Sequence, residues 1–144
     1  MFFSAREASD RVIASLEYLY SKKAMQIINL IPNTGCLFDE EVFKFLMRNL
    51  LINAIKYGYN HSIITINVKQ DDPNYLEFIV QNKGDLLSEK KIKAILNFDK
   101  PLNSQGNGLG LLLCNYCLQL YKGYLKAESI DGKGNIFSFL IPKV

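Results

Sequence analysis

Asn49, Asn53 and Lys56 stand at i, i+4 and i+7 in a segment whose apolar residues Phe43, Leu46, Leu50 and Ala54 recur at helical spacing. On a helix that spacing brings all three polar groups onto one edge, beside the buried stripe. Asparagine is an indifferent helix former, because its amide competes with the backbone. Two of them one turn apart, among Leu50, Leu51, Ile52 and Ala54, therefore need a reason. They are either polar residues at the rim of a core, satisfied by nearby backbone, or a site. An amide oxygen is a ligand suited to Mg²⁺, which prefers oxygen, keeps several waters and is commonly shared with substrate phosphates. Lys56 would then meet the phosphates as a point charge.

A second cluster, Gly106-Asn107-Gly108-Leu109-Gly110-Leu111, separates a polar run (residues 97–105, with Pro101, Asn103 and Ser104) from an apolar helical segment, residues 111–121. Glycines opening a buried helix let the backbone approach a ligand and aim free N–H groups and the positive dipole end at it. No Gly-Lys-Ser/Thr follows and no strand directly precedes, so neither a P-loop nor a dinucleotide fingerprint fits. The cluster is a phosphate site or simply the start of a helix. Cys114 and Cys117 form a C-x-x-C inside that helix. A redox pair needs its nucleophilic sulfur at a helix N-terminus, which the glycines occupy, so both thiols are read as core packing.

These residues must be positioned by a single domain. The chain has 144 residues, 49% hydrophobic and 22% charged, enough for one core. No run approaches the ~20 apolar residues of a membrane span, and no cleavable signal pattern opens the sequence. The net charge of +3 is small and scattered, which argues against nucleic acid. Three cysteines, an odd number, point to a reducing compartment. Residues 4–22 read as a helix and Lys23 to Ile31 as a strand closed by a turn over residues 32–35. Asp39 caps a helix that runs to Tyr57 and stops at Gly58. Residues 63–69 and 75–81 form a hairpin, Ser88 caps a short helix through Leu96, and residues 124–130 and 135–141 form a second hairpin. Helices on one face of a mixed, mostly antiparallel sheet fit this order.

The string from Asn49 to Gly58, NLLINAIKYG, resembles the N box of the histidine-kinase ATPase domains of the GHKL group. Gly106 to Leu111 with the helix up to Tyr121-Lys122-Gly123 resembles their second glycine box, and residues 129–142 their closing hairpin. The resemblance covers roughly residues 24–142, with the motifs in family order. It implies an α/β two-layer sandwich of the Bergerat type, with ATP held between the N-box helix, a first glycine turn and a short lid at residues 98–107. Residues 23–144 would be the ATPase domain and residues 1–22 a helical extension leading from an absent dimerisation hairpin. By position, Asn53 is the implied Mg²⁺ ligand, Lys56 a phosphate contact and Tyr57 a wall beside adenine. Gly106, Gly108, Leu109 and Gly110 supply phosphate-facing backbone, and Gly84 the first glycine turn. That turn departs from the family: Asn82 stands where an aspartate usually accepts from the adenine amine, and Leu86 where a second glycine is common. An amide oxygen still accepts, without charge assistance, so Asn82→Asp is expected to tighten ATP.

Relatives that hydrolyse ATP carry a glutamate general base one turn before the metal-binding asparagine. Asn49 occupies that place and takes no proton at neutral pH. The implied reaction is therefore γ-phosphoryl transfer to a histidine imidazole, with the domain positioning phosphates and neutralising charge. The sole histidine, His61, lies in a turn after the N-box segment and is not a credible acceptor. The reading is the catalytic domain of a two-component sensor kinase: a cytoplasmic monomer, alone or as part of a membrane-anchored protein. Its partners would be a histidine phosphoacceptor domain and a downstream response regulator. The alternative is a regulatory or degenerate domain of the same fold that binds a partner without phosphorylating it.

Overall fold

The computed structural model describes residues 2–33, 35–96 and 109–143, with the backbone alone at Leu109. The chain runs β1 (Phe2–Ser4), α1 (Ala5–Ser15), α2 (Glu17–Tyr20), β2 (Gln26–Asn29), β3 (Gly35–Leu37), α3 (Glu40–Tyr57), β4 (Ile63–Lys69) and β5 (Tyr75–Asn82). It continues through α4 (Glu89–Leu96), α5 (Leu109–Leu120), β6 (Tyr124–Ile130) and β7 (Gly134–Pro142). Five strands form one sheet in the order β2-β4-β5-β7-β6, in which β2 pairs parallel to β4 and the other neighbours pair antiparallel. This is the two-layer α/β sandwich that the sequence implies.

Strand periodicity decides which side chains meet the helices. Ile64 and Ile66 of β4, Phe78, Val80 and Asn82 of β5, and Asn135, Phe137, Phe139 and Ile141 of β7 are all buried. Phe43 of α3 packs into this face, its ring 4.9 Å from Phe78 and 5.6 Å from Phe139, with Phe3 closing the far side at 5.2 Å. Edge-on aromatic packing of this kind is worth about 1 kcal/mol beyond area burial.

α3 starts where the sequence places it. Asp39 is the N-cap, its carboxylate accepting from Val42 N at 3.0 Å, and Glu40 and Glu41 occupy the first turn at the positive dipole end. It ends at Gly58, where a Cβ would stand 2.9 Å from the Ala54 carbonyl and collide with Met25. The last turn is closed by a side chain from far upstream. Lys23 Nζ donates to the carbonyls of Ile55 at 2.7 Å, Lys56 at 3.3 Å and Gly58 at 2.8 Å.

Three local expectations change. The first helix is interrupted at Leu16, after Ser15 Oγ bonds back to Val12 O at 2.7 Å, and it resumes for one turn as α2. The strand expected over 23–31 is only Gln26–Asn29, because residues 21–23 form a 3₁₀ turn that Ala24 leaves with φ of 53°. Residues 2–4 and 35–37, too short to show a period, pair as a separate two-stranded antiparallel sheet. Ala5, Ala8, Val12 and Leu16 are buried in the same cluster as the stripe of α3.

Replacing Lys23 by Met keeps the aliphatic stem and strips three carbonyls at the end of α3 of their donor. Urea unfolding should show a loss of about 1–2 kcal/mol. A variant as stable as the parent would show that solvent serves those carbonyls equally well.

Candidate functional site

The polar edge of α3 is built from amides turned against their own helix. Asn49 Nδ2 donates to Phe45 O at 2.8 Å and Asn53 Nδ2 to Asn49 O at 3.0 Å. Each bond satisfies the donor half of the amide on the carbonyl one turn back and turns the oxygen the other way. Asn49 is half-buried and Asn53 buried, so these oxygens are held rather than free to reorient. The nitrogens are satisfied by neighbouring backbone, as the core-rim reading has it.

The glycine helix meets this edge. A Cβ on Gly110 would collide with Asn49 Oδ1, so the first turn of α5 packs against the amide row with room for a hydrogen only. That close approach brings the start of α5, and its positive dipole end, to residues some sixty positions earlier in the chain. Gly106, Gly108 and the expected lid, residues 98–107, lie outside the described residues, as does the side chain of Leu109.

Asn82 ends β5 facing the helices. It is fully buried, Nδ2 donates to the Ala54 carbonyl at 2.9 Å, and Oδ1 has no hydrogen-bond partner in the protein. The turn after it runs close under the end of α3, since a Cβ on Gly84 would collide with the Tyr57 carbonyl. Tyr59 clamps the turn from one side, with its N–H on Lys83 O at 2.8 Å and its hydroxyl on Asp85 Oδ1 at 2.6 Å. That hydroxyl–carboxylate bond raises the Tyr59 pKa above the usual phenol value, with smaller contributions from desolvation and the Asp85 charge. From the other side Asn135 Nδ2 donates to Asp85 O at 3.0 Å, Ser129 Oγ to Asn135 Oδ1 at 2.5 Å, and Leu87 N to Ser129 Oγ at 3.0 Å.

Lys56 and Tyr57 emerge from the last turn of α3. Lys56 Nζ lies 5.1 Å from the Tyr57 ring centroid, and Lys91 Nζ from α4 lies 5.7 Å from it. Lys91 was not among the residues expected here, because nothing in the sequence separates it from Lys90 and Lys93. Asn135 and Ser129 were also missed. A signal existed for Asn135, a lone amide at an inward position of a strand otherwise filled by Phe137, Phe139 and Ile141. His61 sits in a turn with φ of 65°, its N–H on Lys23 O, and not on a helix. Among the described residues no group of three or more His, Cys, Asp or Glu side chains could hold a metal by itself.

A sequence model of the family described as "Histidine kinase-, DNA gyrase B-, and HSP90-like ATPase" matches residues 38–144. The chain belongs to this family. ATP is accordingly the nucleotide of the fold. The catalytic domain of histidine kinase ThkA superposes with a TM-score of 0.80 at 24% identity, covering 99% of this chain and 95% of that one. Mycobacterial sensor histidine kinase MprB gives 0.79 at 17% identity over 99% and 97%, so the fold is shared well beyond sequence likeness. The chain is 26% identical over 140 residues to the adaptive-response sensory kinase SasA of Crocosphaera subtropica, and 30% over 119 residues to sporulation kinase C of Bacillus subtilis. It spans 37% and 27% of those proteins, so each relative carries much more chain than is seen here. No described helix is long and apolar enough to cross a membrane.

Of the C-x-x-C only Cys114 is buried in the core; Cys117, three residues on, is half-buried outside the core cluster, which corrects the reading of both thiols as core packing. Burial, with a smaller contribution from the Cys117 charge, pushes the Cys114 thiol up to about 12, and burial alone raises Cys36 to about 11. Burial, then the Asp39 charge, also raises Cys117. Thiolate is the reactive form, so at pH 8 Cys114 should remain a thiol. Iodoacetamide at that pH should leave Cys36 and Cys114 unmodified in the folded protein and label both after unfolding. Rapid native labelling of Cys114, read by peptide mass, would contradict the burial.

Proposed function

We propose that the chain is the ATP-binding catalytic domain of a sensor histidine kinase, which transfers the γ-phosphoryl group to a histidine on a separate helical hairpin. The observation that carries the reading is Asn49. It stands one turn before Asn53 with its amide nitrogen bonded to Phe45 O, at the place from which a carboxylate would have to activate water. An amide there accepts no proton, so hydrolysis lacks its base. An imidazole acceptor needs none, because its ring nitrogen is already nucleophilic.

In this reading Asn53 Oδ1 is the protein's ligand to Mg²⁺. The donor set fits: one oriented amide oxygen, with no cluster of charged ligands among the described residues, suits an ion that arrives with the nucleotide and keeps most of its other oxygens from phosphates and water. The ion supplies charge neutralisation across the phosphates. Lys56 supplies a further positive charge, and the backbone of Gly106, Gly108, Leu109 and Gly110 supplies donors to the phosphates. Tyr57 walls the base side, Gly84 keeps the first turn close under α3, and Asn82 reads the base. The phosphoacceptor domain and a downstream response regulator are the partners, and the cytoplasm, where ATP and reduced thiols are found, is the compartment.

Incubation with γ-labelled ATP and Mg²⁺ should leave the chain itself unlabelled and release little phosphate. Adding the histidine hairpin of its own kinase should produce acid-labile label on the hairpin, lost when the hairpin histidine is replaced. Label on His61, or binding of the hairpin with no transfer, would overturn the kinase reading. Asn53→Ala should cut the Mg²⁺-dependent part of ATP affinity about tenfold or more, measured by titration calorimetry with and without the metal. An unchanged metal dependence would remove Asn53 as the ligand.

A further inference from the structure

Two ammonium groups from different helices converge on one aromatic ring. Lys56 Nζ, from α3, lies 5.1 Å from the Tyr57 ring centroid, and Lys91 Nζ, from α4, lies 5.7 Å from it. Both distances fall inside the about 6 Å over which a ring face attracts a cation. Tyr57 is half-buried and packed against the core, so the ring is a fixed rest for both. The two charges stand no more than about 11 Å apart, close to the screening length at about 0.1 M salt, and they repel each other.

Nothing in the described protein neutralises that pair. The ion pairs among the described residues are Arg11–Glu40, Lys44–Glu41 and Lys126–Glu77, and neither Lys56 nor Lys91 belongs to one. A ring face attracts an ammonium but leaves its N–H donors largely to water, whereas phosphate oxygens take both the donors and the charge.

Packing sets which lysine arrives there. At the start of α4 Lys91 N donates to Ser88 Oγ at 3.1 Å, and Ile92, Ile95 and Leu96 fix the inward face of the helix. With that face inward, Lys90 points away from the core, while Lys91 and Lys93 flank the apolar face on opposite sides. Of the three, Lys91 is the one found on Tyr57.

We infer that Lys91 is a phosphate-binding cation of the nucleotide site, supplied by α4 and paired with Lys56 across the Tyr57 ring. The inference rests on the nucleotide reading above and gives a role to an element that reading leaves without one. In the empty site the ring holds two like charges near each other. A polyphosphate entering between them removes the repulsion and takes both ammoniums as point-charge donors. Nucleotide binding thereby draws α4 toward the last turn of α3, since each helix contributes one of the two charges.

The test titrates the whole chain with Mg-ATP as wild type and as Lys91→Gln, Lys91→Arg, Lys90→Gln and Lys93→Gln. Lys91→Gln should weaken ATP binding about fivefold at low ionic strength, with the loss shrinking as salt is raised. Lys91→Arg, which keeps the charge, should stay within about twofold of wild type, as should Lys90→Gln and Lys93→Gln. Urea unfolding of Lys91→Gln should match wild type, which separates a charge offered to the ligand from a role in packing. Undiminished ATP affinity in Lys91→Gln overturns the proposal. So do equal losses in the three glutamine variants, which would mean a general positive field, and a salt-independent loss accompanied by lower stability. Failure of wild type to bind Mg-ATP overturns the nucleotide reading itself.

Discussion

An α-helix ends with carbonyls that have no partner in the helix, and the end of α3 lies where no bulk solvent can serve all of them. The Ala54 carbonyl is taken by Asn82 Nδ2, and those of Ile55, Lys56 and Gly58 by the single ammonium of Lys23. Gly84 passes against the Tyr57 carbonyl so closely that no side chain fits there. Two segments remote in sequence, at Lys23 and at residues 82–84, are thus brought to one helical turn, where Lys23 and Asn82 satisfy its backbone oxygens. That turn carries Lys56 and Tyr57 and lies one turn beyond Asn53. Satisfying the helix end and assembling the site are one physical event.

A second regularity runs through the site. Asn49, Asn53, Asn82 and Asn135 each give Nδ2 to a backbone carbonyl, those of Phe45, Asn49, Ala54 and Asp85. Each amide is thereby held in one of its two orientations, with its oxygen facing the other way. Buried carboxylates in the same places would need paired cations or shifted ionisation to be tolerated. Neutral amides need only geometry, and a backbone carbonyl supplies it. The chemistry this favours is positioning and charge neutralisation rather than proton abstraction, which agrees with phosphoryl transfer to a nucleophile that needs no activation.

The glycines act through closeness more than through flexibility. Gly110 lets α5 touch Asn49, and Gly84 lets the turn touch Tyr57, both with φ outside the left-handed region. A methyl group at either point would push α5 away from Asn49 or the turn away from Tyr57. Gly134 differs, since its φ of 92° is a conformation that side chains rarely adopt.

By itself the sequence determined what is local or periodic. The cap at Asp39 and the stop at Gly58 bound α3, the stripe of Phe43, Leu46, Leu50 and Ala54 named its buried face, and the i, i+4, i+7 spacing put Asn49, Asn53 and Lys56 on one edge. Period-two burial did the same for β4 and β5, because each of these signals is written within one turn or one strand. The tertiary structure decided what depends on contacts between distant residues. The β1–β3 pair has no period to read, and Lys23 looks like any lysine until the end of α3 lies beside it. Lys91 is indistinguishable from Lys90 and Lys93 until Tyr57 selects it. Asn82 was legible as an acceptor, but only the Ala54 carbonyl, from an element 28 residues away, decides which way its amide faces. A hydrogen bond between remote segments leaves no trace in spacing or composition, and in this protein such bonds orient the site.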